Sequence, residues 1–249
     1  MKTFLAALAL FACTASADES QWRPPFITTP PEVVERMLQM ARTRPGDLVV
    51  DLGSGDGRIV IAAAQKFGAR GLGIELDAAQ VQKSRASADL VGVSEKVSFV
   101  QGDALVADLS RATVVTVYLL PALMRELQPR FIQLAPGTRI VSHAFTMAGW
   151  APDRTETVKL RGRHPGQGDE SRLHLWVVPA DVRGVWRGDG RELRIEQNYQ
   201  RIEIEGASRA TLSGRAITWQ QDGMEFKGRA EGSRIVGELA GRPVELVRR

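Results

Sequence analysis

The sequence is poor in reactive side chains: its 249 residues include one cysteine, three histidines and two tyrosines. The cysteine, Cys13, lies in an N-terminal segment that we expect to be cleaved, so the mature chain would have no thiol for disulfides or cysteine catalysis. If it is retained, it ends a Leu10–Cys13 stretch that resembles a bacterial lipoprotein box, although Phe11 is bulky for its position. His164 and His174 have no ligand-like spacing with acidic residues, and we therefore predict no metal site.

The apolar run at the N-terminus is too short to be a permanent membrane span. From Phe4 to Cys13 it would rise about 15 Å as a helix, against a hydrocarbon core of about 30 Å. Lys2 precedes the run and Ala15-Ser16-Ala17 follows it as an A-x-A cleavage site, which is the pattern of a signal peptide. We predict a signal peptide over residues 1–17, an entry segment over residues 18–28, and an exported, periplasmic or membrane-associated bacterial protein.

No strong excess of one charge is present, since the formal net charge is +4. The basic residues are interspersed rather than clustered, which favours a bias of composition over a nucleic-acid-binding surface. We predict no nucleic-acid partner. The apolar fraction of 43% is enough for one sizeable core and a small second domain.

What the sequence does have is a glycine-rich turn between a strand pattern and a helix pattern, within residues 49–58. Glycines at alternate positions let a ligand approach the backbone closely, and the helix start offers free N–H groups. The third glycine comes too early for the dinucleotide pattern G-x-G-x-x-G. The observed D-x-G-x-G-x-G pattern is similar to motif I of the class I methyltransferases, which bind S-adenosylmethionine (SAM). The predicted SAM-binding residues of this turn are Asp51, Gly53, Ser54, Gly55 and Gly57.

Two further acids follow predicted strands at the spacing that such a site needs. Glu75 comes about 20 residues after the glycine turn, where ribose hydroxyls require an acceptor. A solvated acid at the start of a helix is the alternative, but Asp77 already fills that capping position. Asp103 follows the next predicted strand, at the position that accepts from the adenine amino group in methyltransferases. We predict that Glu75 and Asp103 bind the cofactor.

Strand and helix patterns alternate along residues 29–179, the predicted methyltransferase domain. The alternation predicts an α/β fold: a Rossmann-like, doubly wound, mainly parallel seven-stranded sheet with helices on both faces. An antiparallel hairpin over residues 155–160 and 173–178 adds the last two strands. A cofactor site is expected at the carboxyl ends of the strands. The first helix is predicted to follow a capping box of Thr29 and Glu32, with Thr29 also in reach of the methionine carboxylate of SAM.

After Pro179 the helical period disappears, and short alternating runs are separated by glycine-rich turns. This pattern predicts a small all-β module over residues 180–249, a meander or partial barrel. A module of about 70 residues has a marginal core, so we expect it to lean on the first domain. Trp186 and Trp219 are expected in its core.

The chain from Phe26 to Trp150 resembles the protein-lysine methyltransferases whose mitochondrial members act on the ATP synthase c-subunit and the adenine nucleotide translocase. The resemblance implies SAM-dependent methyl transfer to a lysine amine of a protein, often a membrane protein. The secretory-type leader is a departure from this family and puts the cellular substrate in doubt. It also conflicts with the supply of the cofactor, because SAM is made in the cytosol whereas the leader directs the chain outward. The matching stretches are residues 25–27 with Thr29-Pro30, 51–61, 73–77, 114–116 with 118–121, and 136–143.

Transfer to lysine requires an amine that has lost its proton, at a cost of roughly 4 kcal/mol at neutral pH. An apolar, aromatic entrance lowers that cost by desolvating the cation. Tyr118, at the end of the fourth strand, is predicted to form this wall with Phe145 or Trp150; a packing role at the strand end is the alternative. His143 is predicted to contact substrate or take a proton, and a hydrogen-bonded structural histidine is the alternative.

Two other functions remain open from the residues alone. The protein could use SAM to methylate a lipid or small molecule held by the C-terminal module. It could also be an exported binding protein without catalysis, although intact acids at Asp51, Glu75 and Asp103 argue against a decayed site.

Overall fold

The computed structural model describes residues 27–162, 164 and 168–249. The predicted signal peptide, with Cys13, and residues 18–26 of the predicted entry segment lie outside the described residues. Among the helices of the described part, none has the length and apolar character needed to span a membrane.

The first domain is built on the strands β1 (Leu48–Leu52), β2 (Arg70–Glu75), β3 (Val97–Gln101), β4 (Val114–Val117), β5 (Arg139–His143), β6 (Arg154–Lys159) and β7 (Glu170–Val177). They form one sheet in the order β3-β2-β1-β4-β5-β7-β6. Strands β1 to β5 pair in parallel, whereas β7 runs antiparallel to both β5 and β6. The mainly parallel, Rossmann-like seven-stranded sheet with an edge hairpin is confirmed.

The helices of this domain are α1 (Pro31–Met40), α2 (Arg58–Phe67), α3 (Ala78–Leu90) and α4 (Pro121–Ile132). Successive strand residues point to opposite faces, so Val49 packs in a core with α1 and α2 whereas Val50 packs in a core with α4. Helices therefore cover both faces, as in a doubly wound fold. The strand order reverses between β1 and β4, and the crevice at the carboxyl ends of these strands is where such folds bind ligands.

The start of α1 differs from the sequence prediction. Pro30 is the N-cap and Pro31 the first helical residue, and no side chain caps the helix. Thr29 Oγ1 instead lies 3.3 Å from His143 Nδ1, and a carboxylate oxygen of Glu32 accepts from the amide of Arg161 at 2.7 Å. The predicted capping box is therefore wrong, because tertiary contacts take both side chains away from the helix end.

The C-terminal domain contains the strands β8 (Gly184–Gly188), β9 (Arg191–Asn198), β10 (Arg201–Ile204), β11 (Ser208–Ser213), β12 (Ala216–Gln221), β13 (Met224–Glu231), β14 (Arg234–Leu239) and β15 (Arg242–Arg248). They form an antiparallel sheet in the order β10-β9-β8-β15-β14-β13-β12-β11. Its two edge strands, β10 and β11, are joined by the short turn 205–207, and this connection curls the sheet. The antiparallel β domain is confirmed, with Trp186 and Trp219 in its core as expected. The predicted boundary between residues 179 and 180 falls in the segment connecting the two sheets.

Candidate active site

The glycine turn joins β1 to α2, and β2 holds its backbone. The amides of Gly53 and Ser54 both donate to the carbonyl oxygen of Ile74 at 2.9 Å. Gly57 closes the turn, because its amide donates to the carbonyl of Ser54 at 2.9 Å and its φ of +79° leads into α2. Hydrogen bonds within the protein therefore fix the shape of the turn.

Gly53 and Gly57 differ in what a side chain would meet. Gly53 is exposed at φ +75°, and an added Cβ would approach only the Leu119 side chain, at 3.0 Å. At Gly57 an added Cβ would lie 2.7 Å from the Phe99 ring and 2.9 Å from Ser84. Gly57 therefore permits close packing of the turn on β3 and α3, whereas Gly53 leaves bare backbone open to a ligand. The predicted cofactor contact of Gly57 stays a prediction.

Ser54 and Gly55 lie on the inner side of the turn. The Gly55 amide donates to Glu75 Oε2 at 2.8 Å, and its carbonyl accepts from Ser84 Oγ at 2.8 Å. Ser54 is 5% exposed, and the described residues give its hydroxyl no hydrogen-bond partner. These residues support the turn from within, and their contact with the cofactor stays a prediction.

Glu75 ends β2 beside the turn and uses both carboxylate oxygens. Oε2 accepts from Gly55, and Oε1 accepts from the Asp77 amide at 2.9 Å. Asp77 Oδ1 accepts from the amide of Ala79 and caps α3, which is the capping role the sequence assigned to it. Each Glu75 oxygen has a second lone pair, so the side chain can still accept from ribose hydroxyls.

Asp51 is a buried acid near the end of β1. It is 3% exposed, and its Oδ1 accepts from Thr116 Oγ1 at 2.7 Å. Burial raises the pKa of Asp51 to about 7, and the nearby charges of Glu75 and Asp56 act in the same direction. A cation placed beside these acids would relieve the cost of ionising Asp51.

Arg58, which sequence analysis did not single out, ties the turn to the entry of the chain. Its Nε donates to Asp56 Oδ1 at 2.8 Å and its Nη2 to Oδ2 at 2.5 Å. Its Nη1 donates to the carbonyl of Thr29 at 2.8 Å. The ion pair with Arg58 lowers the pKa of Asp56, so Asp56 has a basic partner, whereas Asp51 and Glu75 have none in the described structure. Thr29 is thus fixed beside the turn, and its predicted contact with SAM stays a prediction.

Asp103 lies just beyond β3, next to the end of β2. The Gly102 amide donates to the Glu75 carbonyl at 2.9 Å, which brings these two strand ends together. Asp103 is exposed, and its Oδ1 accepts from the Leu105 amide at 2.8 Å. It borders a cavity of about 420 Å³ with apolar strand residues in its wall. Leu76, which sequence analysis also missed, is 59% exposed beside Glu75 and offers an apolar surface that can cover a base.

The predicted acceptor residues meet at the ends of β4 and β5. The ring of Tyr118 lies 4.0 Å from that of His143 and 6.2 Å from that of Phe145. Tyr118 is half-buried, and burial raises its pKa. Rings from three positions therefore form one aromatic wall, here called the acceptor wall.

His143 is held on both ring nitrogens inside this wall. Nδ1 lies 3.3 Å from Thr29 Oγ1 and Nε2 lies 2.9 Å from Ser171 Oγ, while the residue is 1% exposed. Burial lowers the pKa of His143 to about 4, so the ring is neutral at pH 7. This geometry favours a structural role for His143, which sequence analysis kept as the alternative, with its ring packed against that of Tyr118.

Trp150 was a candidate for the wall, but the structure places it elsewhere. It is 1% exposed, and its ring stacks on Tyr199 of the C-terminal domain at 5.2 Å. Its Nε1 donates to Gln200 Oε1 at 2.9 Å. Trp150 belongs to the contact between the domains, and Phe145 is the aromatic residue beside Tyr118.

These residues fit SAM. The donor carries a sulfonium and an ammonium, and Asp51 and Glu75 supply negative charge with no basic side chain against Asp51 in the described part of the chain. Exposed Gly53, Leu76 and Asp103, together with half-buried Glu75, would line the space for the ribose and the base. Bound SAM supplies an activated methyl group on sulfur. Within residues 27–162, 164 and 168–249, no cluster of three or more His, Cys, Asp or Glu could hold a metal ion.

The fold and the site define a SAM-dependent methyltransferase. Residues 51–154 match the family model of the ANTKMT methyltransferase domain. A protein-lysine N-methyltransferase of Saccharolobus islandicus (strain REY15A) is 42% identical over 138 residues, which are 55% of this chain and 84% of that protein. The chain therefore belongs to the ANTKMT family of methyltransferases, which confirms the resemblance seen in its sequence.

Two further comparisons differ in what their names state. The ATP synthase c-subunit lysine N-methyltransferase of Mus musculus is 36% identical over 132 residues, and the chain covers 53% of it, about half its length. A crystal structure entitled RNA methyltransferase from Salinibacter ruber, in complex with S-adenosyl-L-homocysteine, is 48% identical with a TM-score of 0.56. That match covers 63% of this chain and 96% of the other.

Proposed function

We propose that the protein transfers the methyl group of SAM to a lysine amine of a protein substrate. The observation that carries this proposal is the acceptor wall, where Tyr118 lies against Phe145 and neutral His143 at the ends of β4 and β5. These strands adjoin β1 and its glycine turn, so an amine over Tyr118 lies on the donor side of the sheet.

The wall suits the chemistry of a lysine amine. Methyl transfer from sulfur needs alignment of amine, methyl and sulfur and exclusion of water, rather than a covalent intermediate. The lysine must arrive without its proton, and an apolar surface favours the neutral amine because it removes water from the cation. His143 is uncharged at pH 7 and engaged on both nitrogens, so the proton would leave to solvent as the amine binds.

A protein lysine as acceptor also agrees with the names of the relatives from Saccharolobus islandicus and Mus musculus. The second candidate acceptor is RNA, because the structure from Salinibacter ruber is entitled an RNA methyltransferase. The even mixture of charges, with a net charge of +4, gives the RNA candidate little further support. We therefore place protein lysine first, with a membrane protein as the expected substrate.

One experiment separates the candidates. The purified protein and SAM with a labelled methyl group are incubated, in separate reactions, with soluble proteins, membrane proteins, extracted lipid or total RNA of its source. We expect label in membrane proteins, removed by protease and located on lysine by mass spectrometry. Label that is removed only by ribonuclease would replace the lysine proposal with RNA, and label in extracted lipid would favour the small-molecule alternative.

We also propose that the N-terminal segment exports the protein or holds it at the membrane, as the leader pattern predicts. A topology reporter fused after Arg249, together with the mass of the mature N-terminus, tests this proposal. A cytosolic reporter on an uncleaved chain would overturn it, and would place the enzyme where SAM is made.

A further inference from the structure

The segment after β5 carries Phe145 and is held at both ends. We call residues 144–152 the acceptor loop. Ala144 turns the chain sharply with φ +70°, its amide donates to the Arg172 carbonyl at 2.7 Å, and Phe145 follows it over Tyr118. Farther along, Met147 pairs with Trp150 in an isolated β-bridge.

The far half of the acceptor loop is held by the β9–β10 turn of the C-terminal domain. Tyr199 stacks on Trp150 with ring centroids 5.2 Å apart and an interplanar angle of 7°. Gln200 makes two hydrogen bonds to the loop, accepting from Trp150 Nε1 at 2.9 Å and donating to the Ala151 carbonyl at 2.6 Å. One turn thus fixes both the side chain of Trp150 and the backbone after it.

Helix α4 joins the same contact. Gln128 Nε2 lies 2.8 Å from the Ala148 carbonyl and 3.2 Å from the Tyr199 hydroxyl. The first distance is a hydrogen bond to the acceptor loop and the second reaches the C-terminal domain. Loop, helix and turn are therefore linked through one side chain.

The conformation of Tyr199 is fixed from within its own domain. Its φ is +55°, as is usual in tight hairpin turns, and Gln197 Nε2 donates to its carbonyl at 2.7 Å and to that of Ala180 at 2.9 Å. These hydrogen bonds tie the turn to the start of the C-terminal domain. The turn also forms, with Thr146 and Trp150, the wall of a cavity of about 330 Å³ that begins one residue beyond Phe145.

We propose that Tyr199 and Gln200 are positioning residues for the acceptor site. They fix the acceptor loop, and through it hold Phe145 beside Tyr118. This inference rests on the proposed function, since it concerns binding of the lysine-bearing substrate. It gives the C-terminal domain, which lies outside the matched residues 51–154, a part in methyl transfer.

The test compares Tyr199→Ala and Gln200→Ala with Gln220→Ala, a matched change on β12 of the same domain, at a residue without a contact to the loop in the described structure. The acceptor is a pool of lysine-centred peptides, and the donor affinity is measured separately by calorimetry. We expect kcat/KM for the peptides to fall about tenfold in the first two variants, mainly through KM, with SAM affinity within about twofold of the wild type. Tyr199→Phe keeps the stacked ring and should recover most of the loss.

Hydrogen exchange supplies a readout that needs no acceptor. The backbone amides of residues 144–151 should exchange faster in Tyr199→Ala and Gln200→Ala, while the amides of the glycine turn keep their protection. Unchanged exchange and unchanged KM would overturn the inference, and so would an equal loss of SAM affinity with general destabilisation. If the wild type methylates neither these peptides nor the membrane proteins, the proposed acceptor fails, and the exchange result then decides the positioning role on its own.

Discussion

Glu75 Oε2 accepts a hydrogen bond from the Gly55 amide at 2.8 Å, so the acid predicted to bind ribose also holds the glycine turn. Its other oxygen accepts from the Asp77 amide at the start of α3. One carboxylate thus joins the turn, the end of β2 and the next helix. Loss of this side chain would disturb the shape of the site as well as remove a ligand.

For Glu75→Ala we expect SAM binding to weaken by about 1 to 3 kcal/mol through lost hydrogen bonds. Glu75→Gln should weaken SAM binding nearly as much. Both carboxylate oxygens of Glu75 accept from backbone N–H groups, whereas the NH₂ group of a glutamine side chain cannot accept a hydrogen bond. Calorimetric titration with SAM measures both, with Glu95→Ala as the control at an exposed acid. Wild-type affinity in Glu75→Ala would remove Glu75 from the site.

Binding of SAM should release a proton from Asp51. Its pKa is about 7 in the folded protein, and the cationic donor favours the ionised carboxylate. Protonated Asp51 must therefore ionise on binding, and SAM affinity should fall roughly tenfold from pH 8 to pH 6. Calorimetry in two buffers of different ionisation enthalpy measures the proton directly. Asp51→Asn should abolish this dependence, and Asp169→Asn, at an exposed acid, should retain it.

The sequence was sufficient to predict the sheet and the cofactor turn because both depend on local patterns. Apolar residues on both sides of β1, followed by glycines at alternate positions, require a buried parallel strand and a tight turn. Strand ends were less accurate: Tyr118 was expected at the end of the fourth strand, but β4 stops at Val117, and Tyr118 lies outside the sheet over His143.

Two features that sequence analysis missed depend on residues far apart in the chain. Thr29 has the sequence of a helix cap, yet it contacts His143, 114 positions away. Trp150 is an aromatic residue close to the end of β5 in the sequence and was therefore a candidate for the wall, yet its ring stacks on Tyr199 of the other domain. Arg58 carried a usable signal, since a basic residue directly after the acid-bearing turn can pair with Asp56.

His143 should make folding stability depend on pH. Its pKa is about 4 when folded and 6.5 when free, so the unfolded chain binds the proton more tightly. The contribution of neutral His143 to the free energy of unfolding is complete above pH 6.5 and is lost as the pH falls through 4. Urea unfolding of the wild type and His143→Gln at several pH values should show a difference that grows from pH 4 to pH 6.5. Parallel stability curves would contradict the buried, neutral histidine. Asp51 changes stability in the opposite direction in both proteins and cancels in the comparison.

Tyr118→Ala should lower turnover by about tenfold or more while SAM affinity holds, because the ring faces the acceptor rather than the donor turn. The pH–rate profile should also move to higher pH, since the lysine amine loses its apolar surface and needs more base to lose its proton. Tyr118→Phe keeps the ring and should stay close to the wild type. Equal turnover and an unchanged profile in Tyr118→Ala would refute the acceptor wall.

The two glycines at the ends of the turn should separate folding from binding. Both have positive φ, so alanine costs about 1 to 2 kcal/mol at either position through backbone strain. At Gly57 the new methyl would also collide with Phe99 and Ser84, which raises the loss of unfolding free energy to roughly 3 kcal/mol or more. At Gly53 only the flexible tip of Leu119 must move, so the main effect should be on SAM affinity. Denaturant unfolding without SAM and calorimetry with SAM measure the two effects in the same pair of proteins. Greater destabilisation by Gly53→Ala than by Gly57→Ala would reverse the roles assigned to them, because the glycine with bare backbone would then be the one that the packing requires.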